Sequence, residues 1–76
     1  MEIPLIELET GKKGKILRLE GGSGFRRNIY SRGIREGKIL EVVTRHPFSG
    51  PIVFKIDGRE TAIGRGMAGR IVVEVE

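Results

Sequence analysis

Apolar residues alternate with polar ones in short stretches of this chain, and glycines separate the stretches. Lys15 to Glu20 reads as a first strand, with Leu17 and Leu19 on one face and Ile16 on the other. Lys38 to His46 is a second, in which Leu40 and Val42 alternate against Glu41. Ile52 to Asp57 is a third, burying Ile52, Phe54 and Ile56 on one side. Asp57-Gly58 is a strong two-residue hairpin signal and leads into a short fourth strand, Arg59 to Ile63. A glycine-rich turn through Gly64, Gly66 and Gly69 then precedes a last strand, Arg70 to Val75.

One segment has helical spacing. Across Phe25 to Arg32, Phe25 and Ile29 stand at i and i+4 and share a face. Ser23 is a candidate N-cap. Gly33 supplies the left-handed residue just past the helix end, and Ile34 occupies the apolar position of a Schellman motif, facing Ile29. Ahead of the first strand, Met1 to Glu9 reads as an arm anchored by Leu5 and Leu8. Five short strands, one helix between the first two and a tight hairpin predict a mainly β fold, a small five-stranded, partly open barrel. The expected core contains Phe25, Ile29, Ile34, Leu40, Val42, Phe54, Ile56, Ile71 and Val73.

Length adds a bound. Residues 1–76 form one expected domain, and a chain this short sustains only about 3–5 kcal/mol of net stability from a single core. Cysteine is absent, which excludes disulfides and thiolate chemistry and favours a reducing, cytoplasmic location. No apolar run reaches the ~20 residues of a membrane-spanning helix, and MEIPLIELET lacks the features of a signal peptide.

Charge is unevenly placed. The net charge is +4, but between Lys12 and Arg35 eight basic residues face a single acid, Glu20, and the rest of the chain is net acidic. That asymmetry points to an acidic partner. A basic barrel also suits nucleic acid, yet binding single strands needs aromatic platforms as well as cations. The chain has one Tyr, no Trp, and three Phe that are not clustered, of which Phe25 and Phe54 fall at core positions. Nucleic-acid binding is therefore the alternative reading, behind protein binding.

Catalytic chemistry has little to work with. His46 is the only histidine and has no second His or Cys to complete a metal set, so it reads as a rim residue. The carboxylates Glu20, Glu36, Glu41, Asp57, Glu60 and Glu74 stand singly, without calcium-loop spacing. The run GGSG before the helix lacks the P-loop spacing and reads as a tight turn. The expectation is a binding protein without catalytic, metal or cofactor residues. Its candidate partner surface is the helix and its basic flank: Arg26, Arg27, Arg32 and Arg35 supply charge, and Tyr30 is the candidate aromatic anchor.

From Leu5 to Val75 the order of elements resembles the FeoA family of ferrous-iron transport accessory proteins. The resemblance rests on PLIEL at Pro4 to Leu8, Gly11 and Gly14, GGSGFRRNIYSRGI with Gly37, Pro47 and Gly50-Pro51, Ala62-Ile63, and finally Ala68, Ile71 and Val73. It implies an SH3-like barrel acting as a cytoplasmic adaptor for a ferrous iron permease in the membrane, whose soluble part is a GTPase. Similar domains end metal-dependent repressors. Three features depart from the family pattern: Arg32 in place of an apolar residue, Glu36 in place of Pro, and glycines in the usually helical turn before the last strand.

Overall fold

In a computed structural model, residues 1–45 and 50–75 are described. The elements run β1 (Glu2–Pro4), a 3-10 turn (Leu5–Glu7), β2 (Lys13–Leu19), α1 (Ser23–Ser31), β3 (Ile39–Arg45), β4 (Ile52–Ile56), β5 (Arg59–Ile63), α2 (Arg65–Ala68) and β6 (Ile71–Val75). The strands form one antiparallel sheet in the order β1-β6-β2-β3-β4-β5. Leu5, at the β1 end, and Ile63, at the β5 end, join the same buried cluster. The sheet therefore curls around its core as a partly open barrel. Among the described residues no pairing joins β1 to β5.

The expected core is present. Ile29, Ile34, Leu40, Val42, Phe54, Ile56, Ile71 and Val73 are all buried, together with Leu5 and Leu8 from the arm. Phe25 is the exception, lying half-buried at the rim and packed against that cluster. Its ring fills the space over Gly21, where a Cβ would stand only 2.4 Å from a ring carbon.

Several boundaries and one phase differ from the alternation. The arm adds a sixth strand, because Glu2–Pro4 pairs with β6. In β2 the register slips between Ile16 and Arg18, so Leu17 is an extra residue opposite β6. A bulge of this kind reverses which side chains face inward. Ile16 and Leu19 are consequently buried and Leu17 only half so, where strict alternation pairs Leu17 with Leu19. The second strand begins at Ile39, the third ends at Ile56 and the last begins at Ile71. His46 lies outside the described residues.

Local signals held at the turns. Gly33 has φ +81°, and its N–H donates to the Tyr30 carbonyl while that of Ile34 donates to Ile29, the paired bonds of a Schellman motif. Asp57 and Gly58, at φ +51° and +76°, form the hairpin turn between β4 and β5. The helix itself starts two residues early. Gly22 is its N-cap, and Ser23 lies within the first turn and makes no capping bond. Despite its glycines, the turn before β6 closes as the short helix α2 between Gly64 and Gly69.

Candidate functional site

Helix α1 lies between β2 and β3 in the chain and turns one face to the core through Ile29. Arg26 and Tyr30, one turn apart, flank that face and are both half-buried. The Arg26 guanidinium donates to the Leu19 carbonyl at the end of β2 (2.9 Å), to the Glu36 carboxylate (3.2 Å) and to the Tyr30 hydroxyl (3.4 Å). That hydroxyl in turn faces both oxygens of Glu36, at 3.1 and 3.2 Å. Arg35 closes the cluster from above, its guanidinium carbon 4.8 Å from the Tyr30 ring centre. A hydroxyl, a carboxylate and two guanidinium groups therefore share one network, in which Tyr30 touches each of the other three and Glu36 accepts from Arg26 and Tyr30.

Arg32 points elsewhere. It donates to the Asn28 side chain (2.8 Å) and to the Ala62 carbonyl (3.0 Å), tying the end of α1 to β5. Arg27 faces outward and makes no polar contact among the described residues. Of the five candidates, the fold thus brings Arg26, Tyr30 and Arg35 together, sends Arg32 to the sheet edge and leaves Arg27 free. The residue missed by the sequence reading as a site component is Glu36. Its signal was its spacing, six residues after Tyr30 and just beyond a helix cap that folds the chain back.

Ion pairing divides the rest of the basic segment. Arg18 donates to Glu2 (2.9 Å) and Glu20 (3.1 Å) on the outer face of the sheet. The hydrogen bond it donates to Glu2 and then that to Glu20 hold its pKa above the ordinary arginine value. Beyond Arg18 and the helix arginines, the cations of the segment are Lys12, Lys13 and Lys15, all exposed and unpaired among the described residues. Within this segment the cations without a hydrogen bond, ion pair or ring contact among the described residues are therefore Lys12, Lys13, Lys15 and Arg27.

Two other chemistries find little support. Phe54 is fully buried, and the half-buried Phe25 ring has Arg70 over it at 5.8 Å, so neither offers a free platform for a base. Among the described residues, no three His, Cys, Asp or Glu side chains converge as a metal site. Nor is any helix long and apolar enough to cross a membrane.

The FeoA domain model matches residues 3–75. A fusion of Fe(2+) transport protein A with the Fe(2+) transporter FeoB, from Porphyromonas gingivalis, is 35% identical over 93% of this chain. The chain spans only 8% of that fusion's length. A putative Fe(2+) transport protein A from Methanocaldococcus jannaschii is 32% identical over 93% of the chain and 84% of its own length. The crystal structure of an iron uptake regulatory protein (FeoA) superposes with a TM-score of 0.91 at 38% identity, covering 97% of both chains.

Proposed function

The chain belongs to the FeoA domain family, and from that premise we propose that it is a cytoplasmic adaptor. In this reading it supports ferrous iron uptake by binding the soluble GTPase part of an iron permease, and it performs no catalysis itself. The observation that carries the reading is the P. gingivalis fusion, in which a relative of nearly the whole of this chain is joined to an Fe(2+) transporter. Covalent fusion fixes a high local concentration of two modules, which is useful when the separate modules must meet.

The α1 face suits such a role. Tyr30 is a half-buried aromatic with Arg35 stacked on it, and Arg27 projects a free charge beside them. Aromatic and arginine side chains are enriched among the residues that dominate protein interfaces. Because Arg26 is bonded within the fold, reversing its charge would disturb the helix as well as any interface. Arg27 is the cleaner probe. The test is calorimetric titration of the chain with the soluble GTPase domain of the permease from the same organism, with single-stranded RNA as control. Binding to the domain that weakens in Arg27→Glu supports the reading. Binding to RNA alone transfers it to the nucleic-acid alternative.

A further inference from the structure

The outer face of β2 and β3 carries a feature that neither the core nor α1 uses. Ile39 is 59% exposed, the one large aliphatic side chain so exposed among the described residues apart from the terminal Met1. Its position follows from the alternation of β3: Leu40 and Val42 turn inward, which turns Ile39 outward with Glu41. Register sets it directly opposite Lys15, while Lys13 stands opposite Glu41.

Ile39 is also where two depressions meet. One, of about 350 Å3, runs over Gly14 between Lys13, Lys15 and Glu74. The other, of about 200 Å3, continues across Glu41 and Lys55 toward the β4–β5 hairpin. Lys13 and Ile39 line both, so the two depressions adjoin there. Gly14 lines the first depression with its backbone alone, since a Cβ there would point to the core, 3.0 Å from the Val73 side chain.

Charge selects the occupant. Glu74 already pairs with the N-terminal ammonium group, whereas Lys13 and Lys15 pair with no carboxylate among the described residues. The groove is thus an apolar projection with three ammonium groups, Lys13, Lys15 and Lys55, against one carboxylate, Glu41, unpaired among the described residues. Nucleic acid fits it poorly, since no described aromatic lies there to stack on a base. A second copy would set these lysines against the single unpaired Glu41, so a more acidic segment suits the groove better.

We infer that the groove along Lys13, Lys15 and Ile39 is a docking surface for an acidic segment of a protein partner, with an aliphatic side chain of that segment packed on Ile39. This deepens the adaptor reading and rests on it for the identity of the partner, but places the contact on the sheet rather than on α1. Opposite charges would guide the encounter and Ile39 would hold the complex.

The test uses a synthetic peptide of alternating Glu and Leu, with a Lys-Leu peptide as control, titrated into the isotopically labelled chain and followed by amide chemical shifts. The expected result is shifts centred on 13–16 and 39–41 with the acidic peptide only. Ile39→Thr keeps a β-branched residue and should weaken binding about tenfold, as removal of one aliphatic anchor would. Lys13→Gln with Lys15→Gln should do the same, and Arg27→Gln should leave it unchanged. Shifts centred on α1, equal shifts with the basic peptide, no shifts at all, or shifts that follow protein concentration without peptide would each overturn the surface. The GTPase domain then separates the two readings. If it binds wild type and Ile39→Thr equally, this surface is wrong while the adaptor role stands. If it fails to bind while the acidic peptide still binds at Ile39, the surface stands and the proposed partner does not.

Discussion

The same substitution, glycine to alanine, should have opposite effects at two positions nine residues apart. Gly33 has φ +81°, and its backbone closes the C-terminus of α1 through bonds to Tyr30 and from Ile34 to Ile29. An L-residue there brings its Cβ toward the following carbonyl oxygen, which costs roughly 1–2 kcal/mol. The added Cβ would also lie 3.2 Å from the end of the Arg59 side chain, which is flexible and can move aside, so backbone strain decides the outcome. Gly24 lies within α1, is exposed and has nothing within 4 Å of a new Cβ. Alanine there narrows the unfolded ensemble without strain and should stabilise by about 0.4–1 kcal/mol. In a domain of this size each kcal/mol moves the melting temperature by roughly 4–8 °C. Gly33→Ala should therefore melt about 4–16 °C lower and Gly24→Ala about 2–8 °C higher, by circular dichroism or calorimetry. Gly33→Asn should recover part of the loss, because Asn tolerates the left-handed region. A Gly33→Ala variant as stable as wild type, or alanine variants that both shift the same way, would contradict a strained left-handed cap at Gly33.

Three further outcomes follow from the packing. Phe54→Ala removes a fully buried ring at the centre of β4 and should cost about 3–5 kcal/mol, leaving the variant largely unfolded in urea titrations where wild type is folded. Gly14→Ala should cost about 1–3 kcal/mol by crowding Val73 on the neighbouring strand, and a cavity-forming Val73→Ala in the same chain should recover part of it. Arg26→Ala should cost about 1 kcal/mol through its lost bonds to Leu19 and Glu36, whereas Arg27→Ala should stay within about 0.5 kcal/mol of wild type. Equal stabilities for those two arginine variants in chemical denaturation would remove the structural role given to Arg26.

Much of the fold was legible where the signal is local. The Schellman cap at Gly33 and Ile34 and the hairpin at Asp57-Gly58 are written in residues that touch their own chain neighbours, and both form as the sequence indicates. Alternation placed Leu40, Val42, Phe54 and Ile56 inside, because a strand has only two faces and the core needs one. Family membership was legible too, since the glycine turn, helix and cap occur in a fixed order that survives changes at Arg32 and Glu36. Neither change is a loss in this chain: Arg32 reaches the Ala62 carbonyl, and Glu36 gathers Arg26 and Tyr30.

The tertiary structure decided what depends on residues distant in the chain. Glu2–Pro4 is a strand only because β6, some seventy residues later, lies beside it with free backbone donors and acceptors. Leu17 becomes a bulge only because β6 presents one residue fewer than β2 over that span, and the phase of every inward side chain before it changes as a result. The helix shows the same division. Spacing along the chain was enough to set Arg26, Arg27 and Tyr30 on one short helix with Arg32 at its end, because that spacing is fixed by helix backbone geometry. Which of them stays free is set by where the Leu19 and Ala62 carbonyls arrive, since a guanidinium group forms bonds with whatever acceptors come within about 3 Å, and those acceptors belong to other strands.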